Sequence, residues 1–320
     1  MAVSYRPMKA TEVPECVSIV ATHPLIAPRY SNVLNNLETV WISLLGREAF
    51  RAVVFEDTRE DRVKLLGLGV SAFVSDEFLH ALKRPPFVWI GPELTSCISR
   101  GESPLLSDQA VREANSKGGL NLVSWEGAIR PKYWKSAEVH ATVISAFVDQ
   151  HRGFLLKEVI GQPPTLEALE VTLRSGTQLF HEKGRYVDSA DRPLLRVAET
   201  PYYVGLTRDV ALSRPGAWMA SLFIYQTPKC NFRPSEQRLL LAALHGLTDE
   251  ELASQLGISV SAVKKVWLCV YERVSARLPS LLQDRGDPQE HGERGKEKKQ
   301  HLLAYLRNHP EELRPAGMRL

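Results

Sequence analysis

The twenty residues TDEELASQLGISVSAVKKVW, from Thr248 to Trp267, restrict what this chain can fold into more than any other stretch. Thr248 followed three positions later by Glu251 is the spacing at which a hydroxyl and a carboxylate satisfy the free N–H groups of a first helical turn, so a helix starts there. Leu252, Ala253 and Leu256 fall on one face, and Gly257 can take the left-handed conformation that ends a helix. Ser259 then caps a second helix whose Val263, Val266, Trp267, Val270 and Val274 repeat at helical spacing and should face inward. Ser261, Lys264, Lys265 and Leu268 remain on the outer face. Two short helices therefore meet at a glycine.

The rest of the chain sets the limits around that pair. Its 320 residues exceed one common domain, and 44% hydrophobic content supplies cores for two domains and a tail. The four cysteines, Cys16, Cys97, Cys230 and Cys269, are scattered without a CxxC pair, which predicts buried or incidental thiols in a reducing compartment and no metal site. The first residues carry no charged-then-apolar leader, and charges or glycines interrupt every long apolar run, so a cytoplasmic chain that does not enter a membrane is expected. A net charge of +3 and a pI near 8.6 neither require nor exclude a nucleic acid.

Residues 1–160 alternate helical and strand patterns. VPECVSIVATHP, NVLNNLETVWISLLG, DQAVREANSKGG and SAEVHATVISAFVDQH read as helices; FRAVVFED, VKLLGLGVSAFVS, PFVWIGPEL and NLVSWEG read as strands. Residues 161–229 continue this α/β region with a helix from Leu166 and a buried strand over WMASLFIYQTP. Pro228 and Pro234 bracket the change to an all-α unit at 230–282. The run DRGDPQEHGERGKEKK places a charged linker at 283–299, and 300–320 offers one more helix with a stripe of Leu302, Leu303 and Leu306.

Over residues 232–274, FRPSEQRLLLAALHGLTDEELASQLGISVSAVKKVW and the turns after it resemble the LuxR-type helix-turn-helix, with Glu236, Leu240, Gly246, Thr248, Glu251, Leu252, Ala253, Leu256, Ile258, Ser259, Val263 and Lys264 in register. That resemblance implies a second helix lying in the major groove of double-stranded DNA, braced by the first, and a homodimer for two-fold sites. The DNA-facing set it implies is Thr248, Ser259, Val260, Ser261, Ala262, Lys264, Lys265 and Leu268. Val260 and Ser261 would offer helix-terminal N–H groups to a phosphate, and Lys264, Lys265 and Leu268 would face the groove. Ala262 and Val266 depart from the family's usual Thr and His.

Near the other end, YRPMKATEVPECVSIV, SRGESPLLSDQAVREA and SAFVDQHRGF resemble GNAT-type N-acetyltransferases over about residues 5–160, through Arg6, Glu12, Gly153 and Phe154. The fold class expected is thus a GNAT-like mixed α/β (α+β) sheet with flanking helices, plus the all-α unit. The acetyl-CoA loop this resemblance implies would begin Arg100, Gly101 and Ser103. Pro104 there has no N–H to give, Glu102 would repel phosphate, and Asp149 stands where the family's general-acid Tyr would be. Glu56, on a strand, has the chemistry of a base, although a Glu next to Asp57 at a strand end is ordinarily just solvated. His140 and His151 lie near one face of a helix, the ordinary arrangement of structural histidines.

These readings together predict a DNA-binding transcriptional regulator whose N-terminal domain senses a small-molecule effector or a partner, with no enzymatic activity and no cofactor. The alternative is an active GNAT-type acyltransferase that uses acetyl-CoA and recruits substrate through its C-terminal helices.

Overall fold

The computed structural model describes residues 3–59, 64–181, 184–187, 201–214, 216–244, 246–282 and 294–316. Eight strands form one sheet in the order β1-β2-β3-β4-β5-β8-β6-β7. Their ranges are β1 Val3–Pro7, β2 Phe50–Asp57, β3 Lys64–Val74, β4 Leu120–Ile129, β5 Leu156–Gly161, β6 Gln178–His181, β7 Arg185–Val187 and β8 Tyr203–Thr207. Pairing is antiparallel except for β4 with β5, which run parallel and are joined by a helical crossover, as parallel neighbours require. The chain divides into a sheet unit, Met1–Ile224, and a helical unit, Tyr225–Leu320.

In the sheet unit, α1 Val13–Thr22 and α2 Leu34–Leu44 precede β2. Their apolar stripes, including Ile19, Leu37 and Trp41, are buried with Leu68, Val70 and Ala72 of β3 in the main core. Each such Leu or Ile contributes about 1.5–3 kcal/mol by leaving water. Between β3 and β4 the chain forms α3 Asp76–Leu82, α4 Ile90–Ser99 and α5 Asp108–Ser116. Ser75 caps α3 through the Phe78 N–H and Ser107 caps α5 through the Ala110 N–H. The crossover helix α6, Ala137–His151, is capped by Ser136 and covers the other sheet face, where Val139 and Ala146 pack with Val53, Phe55 and Leu66. Gly153, at φ +87°, turns the chain from α6 into β5. Helices α7 Leu166–Arg174 and α8 Arg208–Ser213 complete the unit.

Two expected strands are not strands. In PFVWIGPEL the backbone around Val88 is held by side chains: Val88 N–H donates to the Tyr203 hydroxyl at 3.0 Å, and Gln162 accepts from Ile90 N–H at 2.6 Å. With those groups satisfied off any ladder, α4 starts at Ile90 and places Pro92 in its first turn, where a missing N–H costs nothing. WMASLF forms a 3-10 helix at Trp218–Phe223 with Met219, Ala220, Leu222 and Phe223 buried. A short apolar run buried on several sides has no period to distinguish strand from helix.

The helical unit contains α9 Pro234–Ala243, α10 Asp249–Leu256, α11 Val260–Arg277 and α12 Arg294–Asn308. Helix α12 takes in residues 294–299 of the expected linker, whose Glu and Lys favour helix; 283–293 lie outside the described residues. Leu302, Leu303 and Leu306 are buried with Val263, Trp267 and Val270, so that stripe is used within its own chain. Arg273 on α11 pairs with the buried Glu236 on α9 at 2.9 Å, and Glu236 also accepts the Arg233 N–H.

Candidate active site

The register of the sheet shifts in the β2–β3, β3–β4 and β4–β5 pairings, and the β3–β4 shift is built by β4. Ser71 of β3 faces Ser124, but the adjacent Val70 faces Glu126, so Trp125 is an extra residue bulged out of the ladder. A bulge bends its strand and re-aims the next side chain. On its other edge β4 pairs with β5 only over Leu120–Val123, although it runs on beside β3 to Ile129. Beyond Val123 the two parallel strands part. The gap is a cavity of about 320 Å³ bordered by Ser124, Glu126 and Gly127 of β4, Gly161 and Gln162 at the end of β5, and Trp218.

Glu126 is the ionisable group that the bulge aims into this gap. Burial pushes its carboxyl pKa up, opposed by the nearby Tyr30 hydroxyl and by the charge of Arg29. Tyr30 is fully buried, and burial beside the Glu126 carboxylate holds its phenol far from ionising. Arg29 lies 4.1 Å from the Trp89 ring centroid and donates to the Pro164 carbonyl at 3.3 Å. A carboxyl whose pKa is raised towards neutral, at the mouth of a cleft, can take a proton from a bound nucleophile and release it again.

The segment expected to hold a cofactor lies elsewhere. Arg100, Gly101 and Ser103 close α4 ahead of α5, and the N–H groups of Arg100, Gly101 and Glu102 donate to carbonyls of Ser96, Cys97 and Ile98. Arg100 also pairs with Glu102 at 2.8 Å. The helix named for its missing Tyr proves to be the crossover α6, and its Asp149 accepts the Tyr5 hydroxyl at 2.6 Å. Glu56 is buried and paired with Arg6 at 2.9 Å, which leaves it a structural ion pair. Glu126 was read only as a residue of the strand NLVSWEG; a carboxylate followed by glycine inside an apolar strand was the one signal there.

The residues from Thr248 to Leu268 form the expected local geometry. Thr248 and Glu251 cap α10 reciprocally at 2.8 and 3.3 Å, Gly257 sits at φ +64°, and Ser259 accepts the Ala262 N–H at 3.2 Å. Ser261 meets the Ser259 hydroxyl at 2.9 Å, Val260 and Ala262 are half-buried, Lys264 and Lys265 are exposed, and Leu268 is 62% exposed.

No protein-family model matches the chain, and no curated protein matches it. Solved structures do. An acetyltransferase of Corynebacterium glutamicum described as histone acetyltransferase HPA2 and related is 12% identical, covering 64% of this chain and 96% of its own, at a TM-score of 0.37. A GNAT-family acetyltransferase of Staphylococcus aureus is 7% identical over 64% of this chain and 99% of its own, TM-score 0.38. Aminoglycoside acetyltransferase AAC(6')-Ib, solved with coenzyme A, is 11% identical over 67% of this chain and 99% of its own, TM-score 0.34. At such identities the similarity concerns layout, and chemistry must be argued from residues. What these neighbours are described as, acetyltransferases and in one case a complex with coenzyme A, runs against the expectations of no enzymatic activity, no cofactor and transcription regulation through DNA binding. The LuxR-type resemblance finds no counterpart among them.

Among the described residues no cluster of His, Cys, Asp or Glu could hold a metal ion, and no helix is long and apolar enough to cross a membrane. Burial pushes the Cys16, Cys97 and Cys230 thiols up to about 12, so they stay protonated and unreactive.

Proposed function

We propose that the sheet unit transfers an acyl group from an acyl-coenzyme A to an amine in the gap between β4 and β5. The observation that carries this reading is the parting of the two parallel strands beyond Val123 with Glu126 at the bulge beside it.

The residues present suit such a donor. Past Val123, the edge of β4 away from β3 has no strand partner among the described residues, so its alternating N–H and C=O groups can pair with an extended, amide-bearing arm as an added strand would. At the far end of β4, α6 begins with a Ser136 cap, and the exposed Lys132 and Lys135 lie just before it. A helix N-terminus with two ammonium groups attracts phosphates. The turn itself contributes little, because the Tyr133, Trp134 and Ser136 N–H groups already donate within it. The diphosphate of such a donor would be held mainly by side-chain charge.

Coenzyme A supplies a thioester, an acyl group already activated towards amines. Glu126 receives the proton that the amine loses as it attacks, and its raised pKa allows that proton to be accepted near neutral pH. Tyr30 lies beside the carboxyl, and the charge of Arg29 favours its ionised form between turnovers.

The test is release of free thiol from acetyl-coenzyme A in the presence of a panel of primary amines. Wild type should release thiol, and Glu126→Gln should lose about 10²–10⁴ in kcat, the usual contribution of a positioned base. Activity should fall as pH drops through the Glu126 pKa, at a higher pH than an ordinary carboxylate would give. Equal rates for wild type and Glu126→Gln, or no thiol release with any amine, would remove the assignment.

A further inference from the structure

A second, smaller cavity lies beneath α6 and adjoins the first, sharing Ser124, Glu126 and Gly127 with it. Its volume is about 170 Å³, and the residues that shape it include Arg51, Ser71, Gly127, Val143 and His151. The floor is open because the sheet carries glycine there: a Cβ on Gly127 would meet nothing within 4 Å. The walls are mostly apolar side chains, among them Phe55, Ile129 and Phe147.

One end is polar, and the strand register makes it so. Arg51 of β2 is directly opposite Ser71 of β3, which is directly opposite Ser124 of β4, so the three side chains form a row. His151, at the end of α6, stands over that row with its Nε2 2.7 Å from the Ser71 hydroxyl and its Nδ1 2.7 Å from the Phe147 carbonyl. A carbonyl only accepts, so Nδ1 carries the hydrogen, and the Ser71 hydroxyl donates to Nε2. Ser71 and His151 satisfy each other. Arg51 is the group in the row that is not satisfied: its Nε is buried and has no hydrogen-bond partner. Glu48, the carboxylate whose charge acts on Arg51, gives one oxygen to Arg112, and neither of its oxygens is hydrogen-bonded to Arg51. Burial lowers the Arg51 pKa to about 10, a sign of how incompletely its charge is compensated.

A buried guanidinium without a full complement of acceptors is costly, and an incoming anion that takes its N–H groups relieves that cost. A cavity of about 150 Å³ with apolar walls holds one benzene ring. We infer that the cavity beneath α6 binds a small monocarboxylate, an apolar body of about one ring with its carboxylate on Arg51 and the Ser124 hydroxyl. Glu126 also borders this space, so the carboxylate must sit at the Arg51 end of the row. The inference rests on Arg51 and the glycine floor and does not depend on acyl transfer.

Thermal unfolding of the full chain with millimolar benzoate, and separately with benzamide, tests it. Benzoate should raise the unfolding temperature of the sheet unit with the logarithm of its concentration, and benzamide, the same size but uncharged, should not. Arg51→Gln should weaken benzoate at least about tenfold, as loss of a charge-assisted contact does. Gly127→Val keeps the guanidinium, fills the open floor and should also abolish the shift, which covers the case in which Arg51→Gln fails to fold. Equal shifts with benzoate and benzamide would mean an apolar hole and overturn the inference. So would no shift with benzoate, or a shift that survives Gly127→Val.

Discussion

Buried carboxylates of the two units can be compared. In the helical unit, the buried Glu236 has Arg273 on one side and the Arg233 N–H on another, and the buried Glu312 accepts from Lys229, Cys230 and Tyr305. Those carboxylates are fully occupied in holding helices together. In the sheet unit, Glu126 lies at a break in the ladder with its pKa displaced, and the Arg51 Nε lacks any partner. Satisfied polar groups specify a structure, whereas unsatisfied ones near a cavity are available to a ligand.

That comparison can be broken by substitution. The largest effect should come from Arg273→Ala, which strands the Glu236 carboxylate in the helical core and should cost about 3 kcal/mol. Calorimetry of the full chain should show the helical unit's transition falling while the sheet unit's is unchanged. Next is Gly91→Ala in α4. A Cβ there would lie 1.9 Å from the Tyr30 hydroxyl, an overlap that forces Tyr30 away from Glu126. Overpacking of that kind costs about 1–3 kcal/mol, and here it should lower activity as well as the sheet unit's unfolding temperature. Thr248→Ala removes the α10 cap and should cost about 1 kcal/mol in the helical unit alone, read by the same calorimetry.

The smallest expected change has the opposite sign. Because the Glu126 pKa is higher folded than unfolded, its contribution to stability is present when both states are protonated and is lost as pH rises from the ordinary carboxylate range through the raised value. Glu126→Gln should therefore stabilise the sheet unit at neutral pH by about 0.5 kcal/mol, and the gain should vanish in acid. An activity-reducing variant that is more stable is what a group held for chemistry should give.

The helical unit was legible because its signals are local. Thr248, Glu251, Gly257 and Ser259 act within four residues of themselves, and each takes the geometry its spacing implies. Most strands and helices of the sheet unit were legible too, through periodicity. Its site was not. The bulge at Trp125 exists only relative to the register of β3, and the parting of β4 from β5 depends on which strands become neighbours; neither is written in the residues of β4 alone. The acetyltransferase resemblance places its cofactor loop on SRGESPLL, which the structure sets at the end of α4 and outside the lining of the gap. Its Gly, Ser and Pro content marks a turn, and a turn composition says nothing about which strand end it faces.

The most direct measurement is a titration of acetyl-coenzyme A followed by calorimetry of the full chain. The account predicts that the transition of the sheet unit rises with the logarithm of cofactor concentration above its Kd while that of the helical unit stays in place. No shift at millimolar acetyl-coenzyme A, or a shift confined to the helical unit, would contradict the placement of an acyl donor between β4 and β5.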